Sequence, residues 1–485
     1  MQQQRRTAFA TLVVLELLIL AFIGTRLVQV QVVEDRRELV GDVETIHFRN
    51  EIVGDPLLLA LIALGAGLPA ASRRLRREPI LMVAMQAAIV GLVVFVLWPL
   101  AQVFVEGFRA GQGAQGFSLV QFEKLLETPM VTRATWGTLV IGVTSALLST
   151  AIGTLVAYTL TLTDAPWKGW LRILTTLPLV SPPFAVSFAV ILLFGRRGLI
   201  TYDLLGITQY NIYGPHGIVF VQLISDIPLA ALILSAVFAS ISRDLEEAGE
   251  DLGGRPFYVL RTVTFPLVTP AILTAALLTF INAIADFGNP MLIGGGYQVL
   301  ATQAFIQMIE LFDLQLGAAL AMLLLIPALA AFILQHWITS RRSYITVTSG
   351  ARTGHVRKLP GYLKWPLFGL CVFLAGFNLL LYGSIFVGAA VKTWGFDYTP
   401  TLRNLNGLVN ALPMLRNSLI VAVGSGVLGG LIGILIAWLV TRQKFPGRTA
   451  LDFSATLMYA IPGTVIGIGY IIAFNAAPYF WTGTF

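Results

Sequence analysis

Eleven apolar stretches, each about as long as a bilayer is thick, dominate this chain. A helix of roughly 20 apolar residues crosses the hydrocarbon core of a membrane, and residues 8–28, 53–71, 80–104, 137–161, 173–194, 217–240, 267–287, 316–338, 366–390, 417–440 and 453–474 approach or exceed that length. The reading is an all-α polytopic membrane protein. Only 12% of the residues are charged and the mean hydropathy is +0.80, against about 25% charged residues in soluble domains. The first stretch follows Arg5 and Arg6 and is long for the core of a cleaved signal peptide, so it is expected to stay as an anchor.

Loop charges give the topology. Short cytoplasmic loops collect Lys and Arg. Arg5 and Arg6, the run Arg73 to Arg77, Lys168 with Arg172, the loop from Arg243 to Arg261, Arg341 with Arg342 and Lys358, and Arg442 with Lys444 and Arg448 fall on one side. That side reads as the cytoplasm and holds the N-terminus; Arg196 and Arg197 are a minor exception on the other. The net charge of +7 is dispersed among these loops, which argues against nucleic acid as a partner. Cys371 is the single cysteine and lies in an apolar stretch, and His47, His216, His336 and His355 are scattered, so no disulfide and no metal site is expected.

An internal repeat underlies the spans. Residues 131–194 can be laid on the stretch ending at Phe474 without a gap, at an offset of 462 − 182 = 280. Gly153 meets Gly433, Pro166 meets Pro446, Pro182 meets Pro462 and Phe194 meets Phe474; coincident Gly and Pro are harder to obtain by apolar bias than coincident Leu. Both copies orient their helices alike, a parallel repeat. The expected division is extra helices in 1–79, a first module in 80–345 with a loop at 242–266, a linker in 346–365, and a second, incomplete module in 366–485. The counterpart of Glu247 would stand at 247 + 280 = 527, beyond Phe485, and a truncated product is the expectation.

A charged island interrupts the apolar pattern at Leu245 to Leu267. Leu245, Ala248, Gly249 and Leu252 form a stripe at helical spacing, with Glu246, Glu247, Glu250 and Asp251 on the other faces. Gly253 and Gly254 stop that helix, Pro256 suits the first turn of another, and Pro266 marks a break before the next span. The run Glu247-Ala248-Gly249, then Gly253, then Phe265-Pro266 resembles the coupling loop of permease subunits of binding-protein-dependent ABC importers, with Gly249 in place of the family's second Ala. The resemblance spans roughly residues 81–474 and is nearest to the fused, two-module permeases of ferric-iron importers. It implies a transport subunit in the bacterial inner membrane, without catalytic residues or bound cofactor. ATP would be used by a dimer of separate ATPase subunits, and substrate would be delivered by a periplasmic binding protein. Glu246, Glu247, Ala248, Gly249, Gly253 and Pro266 would form the ATPase-coupling surface. Permeases for aminoethylphosphonate, thiamine and polyamines are similar through the same segments, so the resemblance leaves the substrate open among them, with ferric iron first.

Polar residues inside apolar spans are costly and mark function or helix contacts. Asp226, with Gln222 and Pro228 nearby, and Asn282 and Asp286 at the end of the next span are candidates for the translocation path. Asp286, followed by Gly288 and Pro290, reads equally as a helix cap. Ser181-Pro182-Pro183 breaks a helix in the first copy, and Ile461-Pro462-Gly463 does so at the matching point in the second; paired breaks suit a pore-facing helix or a packing kink. Ser181, Pro182 and Pro462 therefore join the path set. Glu16 has no evident partner. Gly294-Gly295-Gly296 lacks the Lys-Ser/Thr end of a nucleotide loop and reads as a flexible outer loop, and no GxxxxGK[ST] occurs, so ATP chemistry belongs to another chain. An ion-coupled secondary transporter using Asp226, Asp286 and Glu16 is the alternative of another class, but it would not need the island at 245–266.

Overall fold

A computed structural model describes residues 29–40, 43–53, 79–110, 116–241, 243–341, 361–443, 445, 448–476 and 479–480. Among these, eight helices are long and apolar enough to cross a membrane, nine if the pair Arg448–Ala460 and Gly463–Phe474, bent by 107°, counts as one span. The nine follow the last nine of the eleven predicted stretches in order. Residues 8–28 and, apart from Val53, 53–71 lie outside the described residues, as does Glu16, so eleven spans are not reached. Three short hairpins accompany the helices: β1 (Gln29–Val40) with β2 (Val43–Val53), β3 (Val391–Thr393) with β4 (Asp397–Pro400), and β5 (Asn475–Ala476) with β6 (Tyr479–Phe480).

The repeat holds at the level of helix ends. In the first copy α1 (Pro129–Leu162), α2 (Lys168–Val180) and α3 (Pro183–Phe194) end at 162, 180 and 194. Adding 280 gives 442, 460 and 474, the last residues of Arg403–Arg442, Arg448–Ala460 and Gly463–Phe474. The same punctuation is thus read twice. Packing divides the chain differently: one compact unit holds 119–415 with 460–464, and the other holds the residues up to 118 together with 416–459 and 465–485.

In the larger unit, α4 (Pro215–Ser240) packs along α1, and α5 (Phe265–Ala285) packs on both. Small residues allow the approach: a Cβ on Gly153 of α1 would lie 2.7 Å from Ala230 Cβ of α4. Val156, Leu160, Leu234, Phe238, Val268 and Ala275 fill the core, and Cys371 of α6 (Gly361–Ala390) closes it, free and fully buried.

The broken helix sets the position of α6. Pro178 lacks an N–H and so orphans the carbonyl four residues back; Asn378 of α6 donates Nδ2–H to that oxygen, Leu174 O, at 3.0 Å. One turn on, Tyr382 donates its hydroxyl to Ser181 Oγ at 2.7 Å. The ends of α6 are also fastened. Lys364 pairs with Asp164 at 2.7 Å, and beyond the other end Trp394 donates to Leu192 O at 2.8 Å. Arg197, one of the outward exceptions, is held between the rings of Tyr202 and Phe396, 4.5 and 4.4 Å from their centres.

In the smaller unit the helix Pro79–Leu92 passes through a wide turn, Val93–Leu97, into Trp98–Gly107. Pro99 cannot donate to Phe95 O, and Tyr470 of Gly463–Phe474 donates its hydroxyl there at 2.7 Å. Trp98, Val90 and Val94 pack on Ala473 and Phe474 around it.

Asn378→Leu strands the half-buried Leu174 carbonyl, and Tyr470→Phe removes the side-chain donor to Phe95 O. Each is expected to lower stability by about 1–3 kcal/mol, read as a fall in Tm in detergent, with Phe373→Leu on the exposed face of α6 as the control that changes little. The hydrogen bond from Lys364 holds the Asp164 carboxyl below the usual carboxylate range. Its contribution is therefore complete above the unfolded value, near pH 4, and is lost as pH falls through the lowered one. Lys364→Gln should flatten the acid limb of the stability profile.

Candidate functional site

The break in α2 and α3 opens a cavity of about 460 Å³ in the larger unit. Four helices bring polar groups to it. From α4 come Gln222 and Asp226, 2% and 1% exposed; α5 contributes Asn282, and Asp286 follows its last residue. Asn282 Nδ2 donates to Asp226 Oδ1 at 2.6 Å. Gln222 Nε2 donates to Ala283 O at 2.9 Å and to Asp286 Oδ2 at 3.2 Å, while its Oε1 accepts from Ser145 Oγ at 2.8 Å. Asp286 also accepts the backbone N–H of Asn289 at 3.1 Å and its side-chain amide at 2.7 Å, and Asn289 Oδ1 takes Ser187 Oγ at 2.8 Å.

Ser181, Asp226, Asn282 and Asp286 of the predicted path set therefore stand on one wall system, within reach of water-sized molecules. Asp286 accepts the Asn289 N–H in the first turn of the short helix Gly288–Ile293 and also faces the cavity. Pro182 and Pro462 are not on the wall. They turn the chain, Pro182 in extended backbone at φ −58° and ψ 139°, and the residues after Pro462, Gly463 and Thr464, reach the cavity instead. Ser145, Ser187 and Asn289 escaped sequence reasoning because single Ser and Asn residues in apolar helices carry no spacing signal; Asn289-Pro290 after Gly288 was the nearest to one.

The charged island occupies the far end of α4. Asp226 lies 14 residues before Ser240, about 21 Å along the helix, so the two candidate sites are separate. The helix Arg243–Asp251 ends at a glycine turn in which Gly253 N–H bonds Glu250 O at 2.8 Å and Gly254 N–H bonds Gly249 O at 3.1 Å. Gly253 sits at φ +85°, where only glycine is at ease. Gly249 has a packing reason as well: a Cβ there would stand 3.2 Å from Val259, itself 1% exposed. Thr264 donates to Glu246 at 2.5 Å and ties the helix to the chain beyond.

Two details of the island differ from expectation. The stripe faces outward, with Leu245 48% and Leu252 90% exposed and Ala248 exposed, while Glu246 and Gly249 face the protein. Pro266 marks no break: the helix beginning at Pro256 runs through a wide turn, Leu260–Thr264, into α5. That extra residue per turn lets the helix pass a proline that cannot donate.

These features define a helical membrane permease fold with a polar cavity at a broken span and a surface loop at one end. Residues 149–344 match the family described as "Binding-protein-dependent transport system inner membrane component", and that stretch carries the family's permease domain. Among curated relatives it is 35% identical over 401 residues to the putative ferric transport system permease protein FbpB 1 of Haemophilus influenzae, covering 80% of this chain and 63% of that protein. It is 34% identical over 441 residues to the ferric transport system permease protein FbpB of Actinobacillus pleuropneumoniae, covering 88% and 64%. The thiamine transport system permease protein ThiP of Salmonella typhimurium is 26% identical over 346 residues, covering 68% and 62%. The chain thus spans a little under two thirds of the length of these relatives.

Asp286→Ala takes the acceptor from both the backbone and the side-chain N–H of Asn289, while Gln222 keeps Ala283 O, and it is expected to cost about 1–3 kcal/mol. Ser225→Ala, on the same wall but bonded only to Val221 O within its own helix, should stay within about 0.5 kcal/mol. Thermal unfolding of the two variants checks this.

Proposed function

We propose that this chain is the permease of an ATP-driven importer in a bacterial inner membrane, moving ferric iron from a periplasmic binding protein to the cytoplasm. The observation that carries the reading is the identity of 34–35% with ferric transport permeases along 80–88% of the chain. The cavity supports it chemically. A buried and a half-buried carboxylate with amide and hydroxyl oxygens suit a hard cation in transit, and a polar chamber at a helix break is where irregular backbone is tolerated at membrane depth.

The island at 243–266 is the ATPase-docking element in this reading. Its exposed Leu245, Ala248 and Leu252 beside Glu247 offer an apolar ridge with a charge, and the bond from Thr264 to Glu246 would pass a push on the ridge into α5. The side that bears the island is cytoplasmic and holds the N-terminus. Glu246, Glu247, Ala248, Gly249, Gly253 and Pro266 act there by contact and shape. ATP is hydrolysed by the partner ATPase dimer; this chain binds no cofactor and makes or breaks no covalent bond.

Co-purification with candidate ATPase subunits, coupled to radioiron uptake by cells carrying the full transporter, tests the reading. Glu247→Arg and Gly253→Trp should abolish ATPase capture. Asp226→Asn, which removes a charge but keeps the Asn282 contact, should retain capture and reduce uptake about tenfold or more. Capture unaffected by both loop variants overturns the coupling assignment; uptake of thiamine in place of iron overturns the substrate.

A further inference from the structure

A second cavity, of about 580 Å³, lies at the start of α4, some 39 Å of helix from the island. Its wall carries Arg196, Asn211, Tyr213 and Tyr297 and the three glycines 294–296, and it contains no Asp or Glu. Arg196 is exposed and makes no ion pair or hydrogen bond among the described residues, whereas its neighbour Arg197 is held between two rings. Arginine on the outward face runs against the charge rule for these loops. Arg197 has a structural reason to be there. Arg196 has none in the fold.

The glycines divide in the same way. Gly295 sits at φ +59° with a Cβ position 3.3 Å from Tyr213, so the turn requires it. Gly296 has no such constraint: its φ lies outside the left-handed region, and a Cβ would meet nothing within 4 Å. A bare backbone position with open space in front of it suits close approach by a ligand. Asn211 Oδ1 is engaged by Tyr213 N–H, which leaves its NH₂ as a donor.

We propose that this outer cavity binds a carboxylate, with Arg196 as the charged donor and Asn211 and the Gly296 backbone beside it. The inference rests on the outward orientation in the importer reading, and an acidic side chain of a soluble protein or a free carboxylic acid would supply the same group. Arginine forks carboxylates in bidentate fashion, and Arg and Tyr are each enriched at protein contact hot spots.

The test uses the full chain in nanodiscs with a fluorescein-labelled oligo-glutamate peptide, an oligo-glutamine peptide of equal length, and glutarate as competitor. The glutamate peptide should bind in a salt-sensitive way and the glutamine peptide should not. Arg196→Gln and Gly296→Val should each weaken binding about tenfold or more, with Tm unchanged for the valine variant. Competition by glutarate assigns the site to free acids, and binding that glutarate leaves intact assigns it to acidic side chains. No binding of either acid, or binding unaltered by Arg196→Gln, overturns the proposal. ATPase capture on the same preparation is independent of this site, so loss of capture with carboxylate binding intact would sink the importer reading alone.

Discussion

A proline inside a membrane helix frees a carbonyl that no bilayer lipid can satisfy, and the larger unit of this protein is arranged around one such atom. Leu174 O, orphaned by Pro178, takes its hydrogen bond from Asn378, 204 residues away in sequence. That bond, with Tyr382 on Ser181 one turn further, commits α6 to lie along the broken span. The break then stays open on its other side, where the polar cavity forms. In the smaller unit Pro99 cannot donate to Phe95 O, and Tyr470 gives its hydroxyl to that oxygen. In each unit a helix from one copy of the repeat therefore packs on the broken span of the other. This is why the compact units do not follow the copies in sequence order.

Function follows the length of α4. Its first residue stands at the Arg196 cavity, its middle supplies Gln222 and Asp226, and its last turn leads into the charged island. α5 returns antiparallel, placing Asn282 against Asp226 and carrying Thr264, bonded to Glu246, at its start. A displacement at the island thus bears on the two helices that carry the cavity's acids. The cavity's bonds are short and mutually dependent: Gln222 serves Ser145, Ala283 and Asp286 at once. A shift of either helix breaks several of them together.

Much of this was legible in the residues. Apolar length gave the spans, and coincident Gly and Pro at one offset gave a repeat whose helix ends agree to the residue. Asp226, Asn282 and Asp286 were found because a charge or amide in an apolar run has few innocent explanations. What escaped was relational. Nothing local in Asn378 or Tyr470 announces a distant carbonyl, and the stripe of Leu245, Ala248 and Leu252 has helical spacing whether it faces the protein or away from it. Pro266 misled because a wide turn can carry a helix past a proline, and a one-residue insertion of that kind leaves no mark in composition. Arg196 and Arg197 were noticed together as outward exceptions, and only their surroundings separate the clamped cation from the open one.

The claim that most depends on this geometry is that the chamber at the broken span is a water-accessible part of the transport path. With Cys371, the single cysteine, replaced by alanine, one cysteine at Ser181 or Ser225 would line the chamber, and one at Phe373 would face outward from α6. A charged thiol reagent that cannot cross lipid should label the first two in membranes and leave the third untouched, at a rate that changes when ATPase and nucleotide are added. Equal, slow labelling at all three positions would contradict the account.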